Sequence, residues 1–209
     1  MMKYPRTFHL PWSMNISNDD KVLKSTEYFE GKDIVITEKM DGENTTICFE
    51  KAYARSIDSN NHPSRDWIKA LWARIRYDIP EGWKICGENM YARHSIGYTN
   101  LPSYFLVFAI ISEKNQFLTW EETKIKCKQW NLQTVPEIWT GNYSEKEIRK
   151  FDDIVKTNKA EGYVIRNTKR FYHEEYQKNV AKFVRKYHVQ TDEHWLIKKI
   201  IKNKLKTHV

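Results

Sequence analysis

The run Asp33-Ile34-Val35-Ile36-Thr37 is β-branched and apolar, and it leads into an acidic, glycine-bearing turn, Glu38-Lys39-Met40-Asp41-Gly42-Glu43-Asn44. A segment of that composition reads as a buried strand, so the chain has to assemble a sheet around it. Lys39 then sits where the strand runs out, a place suited to the floor of a pocket. A lysine so placed can be partly desolvated and flanked by other cations, which lowers its pKa and makes the amine a nucleophile. The short pattern recurs by chance; its weight comes from the order of the segments that follow.

Arg55 lies in Tyr53-Ala54-Arg55-Ser56, and Glu88 in Ile85-Cys86-Gly87-Glu88-Asn89-Met90. Next come Tyr104-Phe105-Leu106-Val107-Phe108-Ala109-Ile110, Glu161-Gly162-Tyr163-Val164-Ile165-Arg166 and Val180-Ala181-Lys182-Phe183-Val184-Arg185-Lys186. Their common grammar is a β-branched or aromatic strand with a charged residue at or near one end, which indicates a shared cleft for a polyanion. In this order the segments resemble motifs I, Ia, III, IIIa, IV and V of the covalent nucleotidyltransferase superfamily, and within it the ATP-dependent RNA ligases. The resemblance runs over roughly residues 33 to 190.

Charge agrees with such a partner. The 209 residues carry 35 Lys+Arg against 27 Asp+Glu, a net charge of +8, and nine basic residues face two acidic ones from Lys178 to Val209. Positive charge gathered in this way usually meets phosphate. The 8 Trp, 12 Tyr and 9 Phe provide for a packed core rather than a disordered chain. No apolar run of about 18 residues is present to cross a bilayer, and the amino terminus lacks the apolar run of a signal peptide. Cys48, Cys86 and Cys127 are scattered, and an odd count makes a poor disulfide framework. The expectation is a reduced, cytoplasmic monomer (in the host cytoplasm if phage-encoded) that binds no membrane.

Strands are expected near residues 33–57, 83–88, 104–111, 162–167 and 179–185, with an irregular stretch up to about Lys32. Ser64 is the expected N-cap of a helix in which Trp67, Ile68, Leu71, Trp72 and Ile75 recur at helical spacing. Further helices are expected at Glu121–Trp130 and Ser144–Lys156, the second opened by a Ser144/Glu147 capping box. From about Thr191 a last helix would place Leu196, Ile197, Ile200, Ile201 and Leu205 on one face and Lys198, Lys199, Lys202 and Lys206 on the other. Strands and helices without regular alternation imply an α+β fold. The expected organisation is one adenylyltransferase domain of mainly antiparallel sheets over residues 1–190, with a basic helix at 191–209 packed on it. Only 23 residues follow Lys186, so no appended OB-fold is expected.

The resemblance implies a role for each motif residue. Lys39 attacks the α-phosphorus of ATP to give lysyl-AMP, and Asp41 orients the amine or a metal-bound water. Glu38 accepts from the adenine amino group, Phe108 stacks on the base and Val164 covers its other face. Arg55 and Glu88 hold the ribose, and Asn44 serves later steps. Glu161 engages Mg2+ or Mn2+, with Glu88 as a further metal candidate, and Lys182 neutralises the α-phosphate. A second lysine common in nick-sealing relatives is replaced here by Val184, so Arg185 or Lys186 has to supply that cation. The implied activity joins 3′-OH and 5′-phosphate RNA ends, or RNA/DNA junctions, in the manner of a compact phage-type RNA ligase. Alternatives are a DNA ligase or GTP-using capping-type transferase on the same scaffold, and a non-catalytic nucleic-acid-binding module. Arg6, Trp12 and the carboxy-terminal lysines are candidates for gripping the strand.

Overall fold

The computed structural model describes residues 3–55, 62–186 and 200–207. Contacts divide the chain into two compact units. The Lys39 unit comprises Pro5–Met40 and Val135–Gln190; the Glu88 unit comprises Met1–Tyr4, Asp41–Thr134 and Thr191–Val209. The architecture is α+β, with mainly antiparallel sheets and few helices. Among the described residues, no helix is long and apolar enough to cross a membrane.

The Lys39 unit is built on β1 (Phe8–His9), β2 (Asp33–Lys39), β9 (Glu137–Asn142), β10 (Gly162–Asn167) and β12 (Val180–Val184). They lie in the order β1-β12-β10-β2-β9, antiparallel except for β1 beside β12. Ile34 and Ile36 of β2, Tyr163 and Ile165 of β10, and Phe183 of β12 pack with Phe29 into one core. A continuous apolar strand such as β2 is tolerated because both of its edges are paired. A short β11 (Phe171–Tyr172) belongs to the same stretch of chain. Two-residue β1 and edge strand β9 carry no strong alternation, and neither was expected from the pattern of residues.

Where one helix was expected at 144–156, the chain forms α3 (Glu145–Ile148) and α4 (Phe151–Thr157). The Ser144 side chain makes no cap bond, and between the helices Lys150 N donates to Glu147 O and Asp152 N to Arg149 O, the tighter i→i−3 pattern.

In the Glu88 unit, β3 (Glu43–Ile47), β4 (Ala52–Ala54), β5 (Lys84–Asn89), β6 (Phe105–Ile111), β7 (Gln116–Phe117) and β8 (Gln133–Thr134) form a second sheet. Its order is β7-β6-β5-β3-β4, with β8 parallel to β6. Helix α1 (Asp66–Ile75) buries Ile68, Leu71 and Ile75 against it. Ser64 does not cap α1: it lies within a 3-10 turn over Pro63–Arg65, which His62 caps through its ring nitrogen. Helix α2 (Trp120–Gln129) is opened by a Thr119/Glu122 capping box.

The basic helix expected over residues 191–209 falls mostly outside the described residues. Its last part, 200–207, is an extended segment, bridging at Lys202 to Ala92 and at Leu205 to Leu101. Backbone pairing with the 91–101 loop replaces the helical bonds that an amphipathic pattern alone could not guarantee.

Candidate active site

Register opposes Lys39 to Gly162 and Val164 to Lys182. Directly opposed residues share a face, so Lys39, Val164 and Lys182 lie on one face of the β2-β10-β12 sheet. Glu38, opposite Tyr163, falls on the other face by strand alternation, where burial raises its pKa. Lys39 Nζ donates to Glu161 Oε2 at 2.6 Å, and only 8% of the Glu161 side chain is exposed. Gly162 permits this approach: a Cβ there would stand 1.9 Å from Phe183 O of β12. The Glu-Gly pair is therefore one device, the glycine closing the strands and the glutamate meeting the amine.

Lys182 has a partner of its own, Asp20, whose Oδ1 is 3.4 Å from its Nζ. His9, opposite Lys182 in the β1–β12 ladder, is buried with Nε2 3.2 Å from the same oxygen and Nδ1 2.7 Å from Ser13 Oγ. Asp20 Oδ2 accepts from the Ser17 amide at 3.1 Å and the Ser17 hydroxyl at 2.7 Å. Burial, and then the charge of Lys39, lower the pKa of Lys182. Burial and then Lys182 take His9 down to about 4, so its ring is neutral at pH 7. Burial opposes the charge on Asp20, but the Ser17 hydrogen bonds and Lys182 outweigh it and hold the carboxyl far below its usual range. The face thus carries two lysines, each against one carboxylate, beside a neutral imidazole. Neither His9 nor Asp20 was anticipated; both lie in the stretch expected to be irregular, without a motif around them.

Arg185 is employed elsewhere. Its guanidinium donates to the carbonyls of Ala160, Lys159 and Lys186, while its amide donates to Glu161 O at 3.0 Å. It braces the turn that presents Glu161. Of the two residues considered for a strand grip, Trp12 packs on the core and donates to Tyr163 Oη at 3.1 Å. Arg6 pairs with Asp19.

In the Glu88 unit, Asn44 and Glu88 face each other across β3 and β5, and Asn44 Oδ1 is buried without a hydrogen-bond partner among the described residues. Arg55 donates its amide to Asn44 O at 2.9 Å and its Nε to Tyr4 O at 3.3 Å. Phe108 occupies a β-bulge, where the β5–β6 register slips between Cys86 and Gly87. A bulge re-aims a side chain, and here the ring meets that of Tyr4 edge-on, with centroids 5.0 Å apart. Gly87 accommodates the ring of Phe105, which a Cβ would approach to 2.6 Å.

Asp41 is bonded within the Glu88 unit. Its Oδ2 accepts from the amides of Ser95 and Ile96 at 2.8 and 2.7 Å, and its own amide donates to Tyr98 Oη at 3.1 Å. The carboxylate anchors the 95–98 loop. Glu43, two residues on, forms a part-buried multidentate pair with Arg65, including Nε to Oε2 at 2.9 Å. Neither contact has a local sequence signal, because the partners are 54 and 22 residues away.

The Lys39 face suits transfer at phosphorus. Its two lysines are each held by one carboxylate, and a desolvated lysine can meet charge developing on phosphate oxygens. Among the described residues, no group of three or more His, Cys, Asp or Glu could hold a metal unaided. Glu161 alone fits the habit of magnesium, which takes one or two carboxylates and completes its shell with water and substrate phosphate.

A family model described as RNA ligase matches residues 32–184. Comparison with curated protein sequences gives no match. Among solved structures, an archaeal ATP-dependent RNA ligase is similar with a TM-score of 0.62 at 15% identity, over 88% of this chain and 48% of that one. The Naegleria gruberi RNA ligase with PPi is similar with a TM-score of 0.56 at 18% identity, over 88% and 61%. A putative ATP-dependent DNA ligase from Aquifex aeolicus gives a TM-score of 0.53 at 22% identity, over 78% and 46%. The chain thus spans about half the length of the first of these, and the likeness is one of fold.

Proposed function

The chain belongs to the RNA ligase family, and from that premise we propose that it is an ATP-dependent polynucleotide ligase whose nucleophile is Lys39. The observation that carries the reading is the face holding Lys39, Glu161 and Lys182, with Lys39 Nζ 2.6 Å from Glu161. In the first step the neutral Lys39 amine attacks the α-phosphorus of ATP; an N–P bond forms and the P–O bond to pyrophosphate breaks. The AMP then passes to the oxygen of a 5′-phosphate, releasing the lysine, and a 3′-hydroxyl displaces AMP to close the phosphodiester. All three steps transfer charge among phosphate oxygens, so Lys182 serves by neutralisation and alignment.

An unperturbed lysine, of pKa about 10.4, is almost wholly protonated at neutral pH. Glu161 stabilises the protonated form, so that pair has to open before attack. A divalent ion held by Glu161 would draw the carboxylate away and offset phosphate charge. Glu88 and Arg55 for the ribose, Phe108 for the base and Val164 for its other face are the roles the family resemblance implies. Solved relatives of the fold include RNA ligases with ATP and Mn and with PPi, the reactants and product such a first step requires.

The test is incubation with α-labelled ATP and magnesium followed by denaturing electrophoresis. A labelled band that is lost in Lys39→Ala and absent with labelled GTP supports the reading. A GTP-specific band would indicate capping-type transfer, and no band from folded, initially unadenylylated protein would leave only a binding module. DNA joining is a second reading, favoured by the similarity to the putative DNA ligase; matched RNA and DNA nicks separate the two.

A further inference from the structure

The Glu88 unit carries a surface that the transfer chemistry does not use. Residues 91–104 include Arg93 and His94 and contain no acidic residue; residues 200–207 include Lys202, Lys204 and Lys206 and contain none either. The two segments are laced together. Arg93 N donates to Ile201 O at 2.7 Å, Asn203 N to Tyr91 O at 3.1 Å, Lys204 N to Tyr98 O at 2.9 Å and Lys206 N to Leu101 O at 2.8 Å. Asn203, only 3% exposed, is the rivet. Its Nδ2 donates to Met90 O at 2.8 Å, its Oδ1 accepts from Tyr98 N at 2.9 Å, and its carbonyl accepts from Tyr104 Oη at 3.0 Å.

On either side of the buried Asn203, Lys202 and Lys204 are exposed, as are Lys206 and Arg93. Lys202 Nζ stands 5.0 Å from the centre of the Tyr91 ring, which fixes a cation beside an aromatic face. Asp41, which touches this loop, spends one oxygen on the Ser95 and Ile96 amides. Positive side chains on a rigid, hydrogen-bonded base, with aromatics among them and no acids in either segment, match the regular negative charge of a polynucleotide backbone.

We propose that the 200–207 strap and the 91–104 loop form a sequence-independent binding surface for the phosphate backbone of a nucleic-acid strand, with Lys202, Lys204, Lys206 and Arg93 as phosphate contacts and Asn203 as its positioning residue. The proposal rests on the ligase reading for its partner but not for its test. Affinity for a fluorescein-labelled single-stranded RNA, measured by anisotropy from low to moderate salt, is compared between the parent and Lys202→Gln/Lys204→Gln/Lys206→Gln. Each lost contact reduces the slope of log K against log salt by about 0.7 on a single strand, so the triple variant is expected to lose about two units of slope and to bind at least tenfold more weakly at low salt.

A charge-matched control, Lys146→Gln/Lys150→Gln/Lys156→Gln in α3 and α4, separates local contact from net charge; equal loss in both triples overturns the proposal. Asn203→Ala keeps every lysine and is expected to weaken binding and flatten the slope while the protein remains folded by circular dichroism. An unchanged slope there overturns the role of the strap as scaffold. Binding of the same lysines to anionic vesicles but not to RNA would also overturn it. Failure of lysyl-AMP formation in the parent would remove the ligase reading while leaving these binding measurements intact.

Discussion

Lys39 and Asp41 are two residues apart, yet the two units use their charges in opposite ways. On the Lys39 face each lysine meets a carboxylate side chain, Glu161 at 2.6 Å and Asp20 at 3.4 Å. Such pairs can change partners when a phosphate or a metal arrives. In the Glu88 unit Asp41 is tied to backbone amides, and Glu43 is paired with Arg65 in a part-buried fork. These contacts exchange with nothing and hold loops and strands in place. Proximity in sequence to Lys39 is thus no guide to how a charge is held; what matters is the group that opposes it.

The largest expected effect tests the exchangeable side. Lys39→Ala abolishes labelled lysyl-AMP, and Lys182→Ala lowers its rate of formation by about 10²–10³, the range for losing one preorganised charge at a transition state. A Lys182→Ala rate within threefold of the parent would show that this lysine is a structural cation only. On the fixed side, Arg65→Ala removes the partner of the part-buried Glu43, which costs about 1–3 kcal/mol. Denaturant unfolding should show that loss; a smaller one would mean that water reaches Glu43.

Asp41→Asn is the sharpest discriminator between the two regions. It keeps the shape but halves the acceptor strength toward Ser95 and Ile96, costing about 1–2 kcal/mol and slowing adenylylation only to the extent that the turn loosens. Complete loss of adenylylation with an unchanged unfolding midpoint would move Asp41 to the chemical side of the comparison. The smallest effect concerns pH. The folded pKa of His9, about 4, lies below its ordinary 6.5, so the unfolded chain takes up the proton first. Its contribution to stability is full above pH 6.5 and is lost as pH falls toward 4, opposed in part by Asp20 and reinforced by Lys182 and Lys39. His9→Gln should flatten that part of the unfolding profile; an unaltered profile would mean that His9 already accepts the proton when folded.

Much of the candidate site was legible because its residues sit in strands whose composition is unmistakable. The β-branched run ending at Lys39 defines β2, and Gly162 is required where β10 closes on β12. Asn44 and Glu88 each lie on a readable strand, and their register makes them face each other. The elements that went unread are short or depend on distant partners: β1 has two residues, and the Ser144/Glu147 pattern satisfies a capping rule without forming the bond. The end of the chain has a helical apolar stripe, yet residues 200–207 are extended, because the 91–101 loop offers amides and carbonyls in register.

Local composition by itself determined the main strands and the basic character of the chain, since each is a property of a few adjacent residues, and the order of the motifs singled out Lys39, Glu161 and Lys182 as candidates. Only the tertiary structure decided that Asp20 and His9 stand against Lys182, that Arg185 bonds the carbonyls of Ala160, Lys159 and Lys186, and that Asp41 accepts from the Ser95 and Ile96 amides. Those assignments depend on which groups satisfy one another once buried. Buried polar atoms must find partners, and the partner found is set by the whole fold, from residues that the sequence places far apart.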